Sequence, residues 1–102
     1  MTTQCRARIR WLTTGEGGRT RPPPGPRYST VARFDILRER WPKEAWSVVL
    51  DIDGPADDNG IMLVAVRMLA ADAPAELMHP GRLFDLFEGR HRVAEGEVLP
   101  DA

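Results

Sequence analysis

The side chains with the most recognition chemistry in this chain are its N-terminal arginines. Arg6, Arg8 and Arg10 recur at every second position, and Arg19, Arg21 and Arg27 follow within the segment 14–27, a basic loop rich in glycine and proline. A guanidinium is planar, permanently charged and able to form paired hydrogen bonds to a carboxylate or a phosphate. These arginines therefore constitute a candidate interaction surface for an acidic protein or for an RNA backbone. Gly15-Glu16-Gly17-Gly18 can turn amide N–H groups toward an anion, with Arg19 and Arg21 adding charge. The prolines from Pro22 onward remove donors, so a phosphate cradle cannot continue past residue 21 and a barrel excursion is the better reading.

Other chemistry is thinner. Glu88, His91 and Glu95 fall close enough in sequence for an acid–base pair, yet no serine, threonine or cysteine is coupled to them as a nucleophile, and no catalytic residue is assigned. Asp51, Asp53, Asp57, Asp58 and Asn59 offer oxygen ligands, but their spacing misses the D-x-[DN]-x-[DN]-G loop and reads as an acidic hairpin turn. His79, His91 and Cys5 are too far apart for a compact zinc signature, so no metal is expected. The phosphate-loop pattern G-x-x-x-x-G-K-[ST] is absent, and no cofactor is expected. Trp11, Trp41 and Trp46 read as seals of the core or of loop junctions rather than a base-stacking platform.

Positioning these groups requires strands. Cys5, Ala7, Ile9, Trp11 and Thr13 alternate with Arg6, Arg8, Arg10 and Leu12, a period of two that sends one set inward and the arginines outward. Tyr28, Thr30, Ala32, Phe34 and Ile36 share a face of a second strand over 28–36. Further strands are predicted over 46–52, 61–70, 82–88 and 92–99, with a break at Asp53-Gly54-Pro55 and Asp57-Asp58-Asn59-Gly60 and a short helical turn over 75–79. In the fourth, Met62, Val64, Val66 and Met68 occupy one parity, while apolar residues on the other mark a central or strongly curved strand. Six strands with irregular loops predict an all-β antiparallel barrel, one domain over 1–102 with its core at about 5–99.

Charge and compartment narrow the partners. Residues 1–43 hold ten basic and three acidic residues, whereas 44–102 hold four and twelve. This split either steers encounters with an acidic surface or polyanion, or is neutralised when the halves fold together. One cysteine excludes an intrachain disulfide framework, and Cys5 reads as a buried or edge-strand thiol. The apolar run 61–66 is too short to span a bilayer and the first residues carry no secretion signal, so a cytoplasmic, non-membrane protein is expected.

The run 82–99 resembles the final hairpin of the C-terminal β-barrel domain of translation elongation factor Tu and related translational GTPases, through Phe84, Phe87, Glu88, Gly89, Arg90, Val93, Gly96 and Val98. Ala7 to Trp11, then Gly17-Gly18-Arg19 and the segment 22–28, is similar to that domain's first strand, basic loop and second strand, while 38–58 diverges. The resemblance implies a freestanding six-stranded Greek-key barrel. It also implies a contact module, because in that family the domain is not the hydrolase and its β domains meet the GTPase domain, aminoacyl-tRNA and other translation proteins. The expected function is therefore non-catalytic protein binding or regulation through Arg6, Arg8, Arg10, Arg19, Arg21 and Arg27. The alternatives are RNA-backbone binding and a structural role in a homo-oligomer or larger complex.

Overall fold

Alternation along the chain becomes a closed wall. The computed structural model describes residues 4–100, which form six strands: β1 (Gln4–Trp11), β2 (Arg27–Phe34), β3 (Trp46–Asp51), β4 (Ile61–Met68), β5 (Leu83–Glu88) and β6 (His91–Val98). They close in the order β1-β4-β3-β2-β5-β6, every neighbour antiparallel. This is a small all-β, six-stranded antiparallel barrel. The predicted inward sets fill it: Ala7, Ile9 and Trp11 from β1, Ala32 and Phe34 from β2, and Met62, Val64, Val66 and Met68 from β4 are all buried.

Closure in this order leaves β1 and β2 on opposite sides, with two strands between them in either direction, and the same holds for β4 and β5. Both connections must cross a barrel end. The Gly/Pro segment crosses the end at which β1 finishes, and Pro23 and Leu12 are both buried. Ile52 donates its N–H to the Pro26 carbonyl at 2.7 Å, tying the crossing to the end of β3. The other end is closed by a 3-10 helix at Ala75–Met78 whose Leu77 and Met78 belong to the core. The basic loop of the sequence is thus a cap, and its composition follows from the crossing: prolines hold an extended path without needing ladder partners.

One glycine is required by packing. Gly96 lies opposite Ile9 on β1 and Phe84 on β5. A Cβ there would clash both with Phe84 Cζ and, at 2.9 Å, with Ile9 Cδ1. Phe84 stacks in turn on Phe34, ring centroids 5.5 Å apart.

Three details of the predicted strands are corrected. β2 ends at Phe34, and Ile36 lies exposed on a 3-10 helix at Asp35–Arg40 rather than on the strand's inner face. The alternation of β1 also stops at Trp11: Leu12 is buried instead of outward and Thr13 is exposed instead of inward. β4 stops at Met68, leaving Leu69 exposed. In each case the chain leaves the ladder, and the two-residue period has no meaning beyond it.

Candidate functional site

Outward-facing residues of adjacent strands meet in cross-strand rows. In the first row Leu63 of β4 lies opposite Arg8 of β1, Arg8 opposite Glu97 of β6, and Glu97 opposite Leu83 of β5. The next row runs Ile61, Arg10, Glu95, Asp85 and Arg33, the last from β2. Antiparallel pairing brings such opposed Cβ atoms to about 4.5–5.5 Å, close enough for the charges to couple. Arg8 Nη2 lies 2.9 Å from Glu97 Oε1 and Arg10 Nη2 2.6 Å from Glu95 Oε1. Arg10 also reaches Glu16 at 3.1 Å, Arg92 joins Glu95 to Asp85 at 3.3 and 3.2 Å, and Arg33 holds Asp85 at 2.7 Å. The result is a lattice of ion pairs across the outer wall, in which Arg92 and Arg33 offset the neighbouring carboxylates Glu95 and Asp85.

This lattice floors a groove of about 600 Å3 over β1, β6, β5 and β2. Five arginines line it against four carboxylates, with Leu83 and Ile61 as apolar wall. Arg33 is its most enclosed guanidinium, lying 5.1 Å from the Phe87 ring centroid. Arg33 and Asp85 form the least exposed ion pair of the lattice and were not among the expected site residues. Their pairing depends on register between β2 and β5, which no local sequence signal reveals.

Four of the six expected arginines line one of two separate cavities. Arg8 and Arg10 line the groove, whereas Arg19 and Arg21 line a separate cleft of about 1060 Å3 between the Gly/Pro crossing and the β3–β4 connection. Trp11, Ile52, Asp53 and Asp58 also line that cleft. Arg27 pairs with Asp51 at 3.2 Å. Arg6 and Arg21 are exposed and meet no carboxylate at ion-pair distance among the described residues. Arg8 and Arg10 of the strand stripe therefore line a different cavity from the loop residues Arg19 and Arg21. Most of these guanidiniums are matched by acids from the second half of the chain, and folding brings the two charged halves together.

Arg19 belongs to a third cluster. Its guanidinium and the Tyr28 hydroxyl both donate to the Glu88 carboxylate. Burial acts to raise the Glu88 carboxyl, but the Tyr28 and Arg19 hydrogen bonds outweigh it and hold the group below the usual carboxylate range. The Tyr28 phenol is pushed up, chiefly by burial and then by its bond to Glu88. For Glu88 the depressed folded value makes its contribution full above its unfolded value of about 4.3 and lost as pH falls through the folded one. For Tyr28 the sign is opposite: its contribution is full below about pH 10 and is lost as pH rises beyond that. Urea unfolding of the wild type and Glu88→Gln checks this. The variant is expected to show a shallower loss of stability between about pH 5 and pH 3.

The carboxylates closest in sequence to His91 are committed elsewhere: Glu88 to Arg19 and Tyr28, Glu95 to Arg10 and Arg92. Asp57 accepts the N–H groups of Asn59 and Ile61 at 2.8 and 2.9 Å, the local bonding that makes this acidic stretch a turn. Among the described residues no group of three or more histidine, cysteine, aspartate or glutamate side chains is placed to hold a metal, and no helix is long and apolar enough to cross a membrane. Comparison with protein-family models, with curated proteins and with solved structures finds no match to this chain.

Proposed function

We propose that the chain is a non-catalytic protein-binding barrel that meets its partner through the groove over β1, β6 and β5. The observation that carries this reading is the pairing of the groove's arginines. Arg8 and Arg10 already face Glu97 and Glu95, with the exposed leucines Leu63 and Leu83 at the two ends of the first row. A phosphate backbone would have to enter beside these carboxylates, whereas a protein surface can match mixed charge and cover the leucines. The resemblance of the chain's two ends to the C-terminal barrel of elongation factor Tu supports the same reading, since in that family the barrel is a contact module.

A nuclease-treated pull-down tests it. The wild type is expected to retain a protein partner that Leu83→Asp and Arg8→Glu both lose, with circular dichroism showing both variants folded. If nuclease treatment removes the captured material, and fluorescence titration shows RNA binding that falls steeply with salt, RNA-backbone binding replaces this reading.

A further inference from the structure

We propose that the partner seated on this groove is a second copy of the chain, related by a two-fold axis that lies in the interface, parallel to the strands and between β1 and β6. This deepens the reading above and depends on it. Along the first row the residues run apolar Leu63, cation Arg8, anion Glu97, apolar Leu83. A two-fold axis along the strands reverses such a row against itself. Leu63 of one copy then faces Leu83 of the other, and Arg8 of one copy faces Glu97 of the other, at two symmetric contacts. An axis across the strands would instead set Arg8 against Arg8 and Glu97 against Glu97, so the row selects between the two operators.

In the second row the same operator gives a complementary inner pair and an outer pair that is not complementary. Arg10 of one copy faces Glu95 of the other, and the outer pair is Ile61 against Asp85, whose carboxylate is only 14% exposed and already held between Arg33 and Arg92. Isologous contacts require the self-complementarity of the first row and of this inner pair. The charges are open to a second partner: the Arg8 and Glu97 side chains are 55% and 36% exposed, and a guanidinium has five N–H donors to divide between two carboxylates. Leu63 and Leu83 stand three strand spacings apart, about 14 Å, and each is half exposed. A standard interface takes about 800 Å2 per partner, roughly an eighth of the 6417 Å2 surface of this chain.

Sedimentation velocity across a concentration series decides the proposal. The wild type is expected to form a concentration-dependent dimer, and Arg8→Glu or Glu97→Arg alone to weaken self-association by at least about tenfold, because like charges then meet at both symmetric contacts. An equimolar mixture of these two variants is expected to associate again, since the two reversed residues then meet as opposite charges at one contact and the native Arg8–Glu97 pair forms at the other. Leu83→Asp, on the outer wall, should give the same loss without touching the ion pairs, and reversal of Arg90, outside the groove, should change nothing.

A wild type that stays monomeric at about 1 mM overturns the second copy as occupant. So does a wild-type dimer whose variants do not recover on mixing. If in either case a nuclease-resistant protein is still captured and lost with Leu83→Asp, the groove remains a protein interface and only its occupant is wrong. If nothing is captured, the groove reading falls as well.

Discussion

Phe84→Ala is expected to lower the unfolding free energy by about 3–5 kcal/mol. The ring is buried, stacks on Phe34 and covers the site where Gly96 has no side chain. Removing it leaves a cavity bounded by two strands that the closed barrel cannot bring together. For a domain near 100 residues, each kcal/mol shifts Tm by roughly 4–8 °C, so the melting point should fall by on the order of 20 °C. A second substitution makes the contact itself testable. Gly96→Ala alone should cost about 1–3 kcal/mol by overpacking, because its methyl group would clash with the Phe84 ring. In the Phe84→Ala background that methyl group enters the vacated space, so the cost should shrink or change sign. Equal costs in both backgrounds, measured by urea unfolding, would show that β5 and β6 do not pair in this register.

Leu77→Ala is expected to cost about 2–5 kcal/mol, a value unusual for a residue outside every strand. Leu77 is buried in the 3-10 helix that crosses the second barrel end, and it belongs to the same cluster as the inward side chains of the wall. Ile36 provides the contrast. It also lies on a 3-10 helix but is 46% exposed, and Ile36→Ala should stay within about 0.5 kcal/mol of wild type. Thermal melts of the two variants separate a structural plug from a surface connection of similar composition. Equal effects would mean that the 69–82 crossing does not close the barrel.

The strands were legible because each carries its own local signal. Met62, Val64, Val66 and Met68 share a parity, and Asp57 to Gly60 is a turn by the bonding of its own side chain. Strand ends were less legible: Ile36 fits the β2 alternation but follows Phe34 into a helix, because nothing in its residue type marks where pairing stops. The arginines of the candidate site could be named, but not what they touch. Arg8 meets Glu97 across 89 positions and Arg33 meets Asp85 across 52. Those partners are set by the strand order and register of the closed barrel, a property of the whole chain. The near-opposite charges of the two halves were the one sequence feature that anticipated this matching.

The seam between β1 and β6 bears on when the fold can appear. β1 is paired on one side by β4 and on the other by β6, at registers such as Ala7 with Val98 and Trp11 with Ala94. A chain emerging from its N-terminal side presents β1 long before residues 91–98 exist to complete its ladder. During that interval the strand keeps an unpaired edge, and Arg8 and Arg10 lack the carboxylates that will later hold them. Pairing over such sequence separations is slow, and an open strand edge invites wrong contacts. The same charges that form the lattice in the finished wall would, in the unfinished one, keep that edge hydrated and discourage sheet-to-sheet association.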